Sequence, residues 1–160
     1  MNMITQKLRN AVGAGNCKGT INDTEVFDAS LVELSEHTFP PPHGEAHMLF
    51  ARHRKPDPEY TTKELTLSLS KGLENTSYDL NPESHQVRLT FVDNSNPEKA
   101  VVYTQISGTA ELEYDDVSGI FSGTLKKAVV VNRDDDDLKQ LTLDVDFSAK
   151  GAIGYRTLAA

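Results

Sequence analysis

From Val101 to Gly151 apolar and polar residues alternate through most of the chain, VVYTQISGTAELEYDDVSGIFSGTLKKAVVVNRDDDDLKQLTLDVDFSAKG. A period of two, broken by turn-forming clusters at Asp115–Gly119 and Arg133–Asp137, predicts three successive antiparallel strands, a β-meander with one face on a core. In the first strand Val102, Thr104, Ile106, Ala110, Leu112 and Tyr114 are expected to share one face, with Glu111 and Glu113 on the other. Gly108 interrupts that row and marks a bulge or bend. The second strand carries Phe121, Gly123 and Leu125, then Ala128 to Val131, a run buried on both sides or crossing a bulge. The third sets Leu141, Leu143, Val145, Phe147 and Ala149 inward, with Thr142, Asp144 and Asp146 outward.

Upstream, Lys18–Ile21 and Thr24–Phe27 flank Asn22-Asp23, the signature of a tight hairpin. A strand over Ser30–Leu34 follows. Ser35 to Gly44 reads as an exposed loop, because Pro40-Pro41-Pro42 cannot donate ladder hydrogen bonds and favours a polyproline-like path. Ala46–Arg52 looks like strand, and Arg54 to Pro58 breaks the chain. Lys63–Ser70 is the cleanest strand, with Leu65, Leu67 and Leu69 on one face. Val87, Leu89 and Phe91 alternate after the Asn81-Pro82 turn, and Asp93 to Pro97 is a loop. At the start, Ile4, Leu8 and Val12 fall at helical spacing before Gly13-Ala14-Gly15, which predicts one short amphipathic helix. The expected fold is therefore all-β, an antiparallel sandwich or flattened barrel of about eight to ten strands. It forms a single domain, with residues 1–15 as helix or tail, 16–152 as the β core and 153–160 as a tail.

Composition narrows the partners. The 160 residues are 38% hydrophobic and 25% charged, enough to bury a core, and no window is long and apolar enough for a membrane helix. The net charge of −8 argues against nucleic-acid binding, which needs a basic face for phosphates. Acidity concentrates between Thr109 and Asp146, with ten acidic residues against four basic ones, and reads as a solvated surface. The single cysteine, Cys17, excludes an internal disulfide and a multi-cysteine zinc site, and suits a small core residue. The polar residues Gln6, Lys7, Arg9 and Asn10 interrupt any export-signal core, so the expected location is the cytoplasm, or outside it if a leader was removed.

Candidate chemistry is sparse. Four of the five histidines lie between His37 and His53. His43-Gly44-Glu45-Ala46-His47 misses the zinc-protease pattern, since Gly44 stands where a glutamate follows the first histidine. His37, His43 and His47 remain the metal candidates, whereas His47 and His53 on one strand would lie roughly 20 Å apart. Asp134 to Asp137 lacks the alternate spacing and glycine of a calcium loop and reads as a hairpin tip. Glu111, Glu113, Asp144 and Asp146 form a carboxylate face if their strands are neighbours, though facing water. Serine-elbow, phosphate-loop and dinucleotide motifs are missing from the sequence, and no cofactor is expected.

The CKGTINDTEVFDAS opening, KELTLSLSKGLENTSYDL, YTQISGTAELEYDD, SGIFSGTL and the final LTLDVDFSAKG occur in an order that resembles a group of small bacterial β-rich proteins, often lipid-anchored, of unknown function. The likeness covers roughly Cys17 to Gly151 and rests on turn-and-strand geometry. It implies an all-β fold and brings no catalytic residues, and this chain departs from it by lacking the lipoprotein leader. The leading expectation for function is a non-enzymatic binding module. Its contact surface would be the proline–histidine loop, Phe39, Pro40, Pro41, Pro42, His43 and His47, and its partner another protein. A carrier of a small apolar ligand, of the calycin-like barrel type, is the alternative. A metal-dependent enzyme using His37, His43 and His47 is the third.

Overall fold

The structure, a computed structural model, describes residues 14–55, 61–96, 98–134 and 139–151. The predicted helix over Ile4–Val12, the prolines of the break after Arg54, Asp135–Asp137 and the tail from 153 lie outside them. Ten strands follow in order: β1 (Ala14–Ile21), β2 (Glu25–Asp28), β3 (Leu31–Thr38), β4 (Glu45–Arg54), β5 (Thr62–Ser70), β6 (Thr76–Asp79), β7 (Val87–Asp93), β8 (Val101–Asp115), β9 (Ile120–Val131) and β10 (Gln140–Lys150). Among the described residues no helix is long and apolar enough to cross a membrane.

All ten strands belong to one antiparallel sheet, ordered β2-β1-β10-β9-β8-β7-β5-β4-β3, with β6 also pairing β8. The two edge strands, β2 and β3, are joined only by Ala29 and Ser30. Such a link reaches about 10 Å at most, so the sheet has to curl until its edges meet. Ala29 N–H donates to the Cys17 carbonyl (2.9 Å) and Ser30 N–H to the Arg52 carbonyl (2.8 Å), tying the link to both sides of that seam. Asp28 N–H donates to His53 Nδ1 across the seam at 2.8 Å. The architecture is thus one curled, half-barrel sheet rather than two stacked ones.

The β1–β2 connection bears out its sequence signature. Asn22 and Asp23 both have positive φ (53° and 64°), the geometry of a type I′ turn, whose twist matches that of the strands. The interior is lined by the predicted inward rows of β5, β7 and β10, and by Phe27, Phe91, Phe121 and Phe147. The rings meet edge-on, Phe27 to Phe91 at 5.9 Å and Phe121 to Phe147 at 5.0 Å between centroids. Cys17 is buried among them, and loss of solvent, reinforced by Asp28, pushes its thiol up to about 12. At neutral pH it is a neutral core side chain, not a nucleophile.

β8 departs from the expected pattern. Its register on β9 shifts between Gln105 and Ser107 and again between Ser107 and Thr109. The extra residues reverse the inward phase along the strand. Tyr103 and Gln105 point inward before the irregularity, Ala110 and Leu112 after it. Val102, Thr104 and Ile106 therefore do not share the face of Ala110 and Leu112, as alternation alone predicts. On β9 the bulge falls at Lys127, whose φ is +47° and whose N–H donates to Asp144 Oδ1 at 2.9 Å. That bulge falls just before the run Ala128 to Val131, in which Ala128, Val130 and Val131 are buried.

Lys127→Gly is expected to stabilise the protein by roughly 0.5 kcal/mol, because relief of about 1–2 kcal/mol of left-handed strain exceeds the entropy cost of glycine, about 0.5–1 kcal/mol. A higher urea midpoint at unchanged m-value would show it; a lower midpoint would mean that the lysine side chain contributes more than the strain removes.

Candidate functional site

The β3–β4 hairpin carries the candidate residues. Its ladder runs to the pair Thr38–Glu45, so β3 extends four residues beyond the predicted strand end and the expected ten-residue loop shrinks to a six-residue tip. Phe39 N–H donates to the Gly44 carbonyl at 2.9 Å, closing the tip, and Gly44 takes a left-handed φ of +67°. Pro40, Pro41 and Pro42 are exposed at its apex, and the Pro41–Pro42 peptide is cis rather than polyproline-like.

His43 overturns the expectation of an exposed loop histidine: it is only 8% exposed. The tip folds back over the outer face of β5, where alternation places Ser68 and Ser70 opposite the inward leucines. His43 Nε2 lies 2.8 Å from Ser68 Oγ, and Nδ1 lies 2.8 Å from Ser70 Oγ and 2.5 Å from the His85 carbonyl. Ser70 Oγ in turn donates to the His43 carbonyl at 2.8 Å. The arrangement is satisfied by a neutral ring with the proton on Nδ1, donated to His85, and Nε2 accepting from Ser68. Phe39 packs on His43 (4.9 Å between centroids) and His37 on Phe39 (4.5 Å).

His47 belongs to a different surface. In β4 it shares the inward face with Leu49 and Ala51, opposite to Ala46. Its ring lies flat on Tyr114, centroids 3.6 Å apart and planes at 17°. Burial chiefly, and then Lys71, hold its pKa below the ordinary imidazole value, against the opposing pull of Glu36 and Asp116. The six residues expected to act together are thus split: Phe39 to His43 form the tip, and His47 closes the interior beneath it. The alternation of β4 equally separates His37 and His43 from His47. Among the described residues no group of three or more His, Cys, Asp or Glu is placed to hold a metal ion.

Ser68, His43 and the His85 carbonyl have the spacing of a nucleophile, a base and an orienting group. Ser68 is only 2% exposed and lies beneath the ring, so a substrate carbonyl has no route to its oxygen. The contact serves as an anchor. The condition for a carboxylate face is not met, since β9 separates β8 from β10, and three of the four carboxylates are engaged locally. Glu111 pairs with Lys126 at 3.0 Å, Asp146 accepts from Thr124 at 2.7 Å and Asp144 caps the Lys127 bulge. Sequence reasoning missed Ser68, Ser70 and His85. Two small hydroxyl residues on the outer face of a leucine-rich strand were the available signal that something covers that face. The chain matches no family model, no curated protein and no solved structure.

Proposed function

We propose that this protein is a non-enzymatic binding module that presents the Pro40–Pro42 tip to another protein. The observation that carries the reading is the union of an exposed triple proline with a buried, fully hydrogen-bonded anchor, His43, one residue away. A tip held in one conformation gives up little entropy on binding, and exposed prolines offer an apolar surface to a partner. The many buried phenylalanine and leucine side chains of the interior favour this reading over an apolar-ligand carrier.

A photo-crosslinking residue placed at Pro41 should capture a discrete partner in cells that make the protein. The same residue at Asp23, on the turn at the opposite end of the sheet, should not. Replacing Pro40–Pro42 with Gly-Ser-Gly should leave the thermal midpoint within a few degrees and weaken that partner's affinity about tenfold or more. Equal capture at both positions, or unchanged affinity, defeats the proposal.

A further inference from the structure

His47 and Tyr114 make contact between strands that are not neighbours. In the sheet order β4 and β8 are separated by β5 and β7, so the stacked rings bridge the interior at the tip end of the molecule. Phe121 of β9 lies 6.5 Å from the same imidazole, with Phe147 behind it. The stack therefore joins the β3–β4 hairpin to the β8–β9 hairpin, and covers apolar rings that would otherwise face the opening. We propose that His47 is an acid-operated latch: neutral, it holds the two hairpins together over this end of the interior, and protonated, it lets them part.

The charged groups around the ring come from each element packed on it. Glu36 of β3 is its register partner and is ion-paired to Lys71, which follows β5. Asp116 stands in the turn after β8, and Tyr114 offers a phenol. The two carboxylates and the tyrosine face favour an imidazolium. Burial opposes it, with Lys71 on the same side, and the balance leaves the neutral ring favoured. An imidazole in the opened or unfolded chain protonates near pH ~6.5. Below that pH the opened form binds more protons than the closed one, so closure is complete at higher pH and weakens as pH falls toward the depressed value of the latched ring. The other histidines do not bridge these hairpins: His43 is fixed over β5, and His53 accepts the Asp28 N–H at the far end.

Hydrogen exchange at pH 7.5 and pH 5, corrected for the intrinsic rate, tests the latch. In the wild type, peptides covering Glu45–Leu49 and Tyr114–Phe121 should exchange several-fold faster at pH 5 than at pH 7.5. His47→Phe keeps an aromatic stack that cannot titrate and should abolish the difference. A wild type equally protected at both pH values, or a folded His47→Phe variant that still opens, overturns the proposal. Should that variant fail to fold, the wild-type His47 ring is titrated by NMR. Its midpoint has to coincide with that of the opening, and a separation of more than about one pH unit overturns the latch.

Discussion

Replacing Gly108 with alanine is expected to cost about 3 kcal/mol or more, the sum of backbone strain and a forced overlap inside the sheet. Gly108 sits at φ +108°, a region that L side chains rarely enter. A Cβ there would also lie 2.3 Å from the Lys127 carbonyl oxygen and 2.7 Å from the Ala128 Cα. Both atoms are β9 backbone, held by the bulge and by the pairing of β9 to β10, so neither can yield without moving the strand. Gly72 supplies the contrast: it has φ +80°, but nothing lies within 4 Å of its would-be Cβ. Gly72→Ala should cost only the torsional strain, about 1–2 kcal/mol. Urea unfolding of the two variants separates the contributions. A Gly108→Ala loss no larger than that of Gly72→Ala would mean that the close approach of β8 to β9 contributes little.

The same bulge explains what sequence alternation shows and where it stops. β10 has its pairing to β9 shifted only by a residue on the opposite strand, and its five predicted inward residues all reach or border the core. β8 contains its own irregularity, so a phase read from Ala110 and Leu112 and carried back through Gly108 comes out inverted at Gln105 and Tyr103. Glycine marks where the phase breaks but does not say by how many residues. The hairpin at Asn22-Asp23 was legible because two consecutive positions with positive φ favour those residue types. Sandwich and barrel could not be told apart, since the answer lies in the strand order, which makes the short Ala29–Ser30 link span two edges. The exposed prolines of the tip were readable from their own chemistry. The burial of His43 was not, because Ser68, Ser70 and His85 lie 25 to 42 residues away.

Gln105→Ala is the second substitution with a large expected effect, on the order of 3–5 kcal/mol, from unpaired backbone groups and the cavity left behind. β7 pairs with β8 only from Val101 to Thr104, and β6 takes over from Thr109 to Leu112. In the gap between them the Gln105 side chain, 1% exposed, replaces the missing ladder. Its Oε1 accepts from Leu89 N–H at 2.6 Å, and its Nε2 donates to the carbonyls of Asn81 (2.9 Å) and Val87 (3.0 Å). Alanine leaves all three without that partner in a place where water has poor access. Gln105→Glu distinguishes this account from simple packing. The two side chains have nearly the same shape, but a carboxylate would set oxygen against the Asn81 and Val87 carbonyls, and only the protonated acid restores a donor. The glutamate's affinity for a proton is then higher in the folded chain than in the unfolded one, where it titrates near pH ~4.3. Its stability relative to wild type should be best below that pH and fall as pH rises through the folded value. A deficit in Gln105→Glu that stays the same from pH 4 to pH 8 would assign the role of this residue to volume rather than to hydrogen bonding.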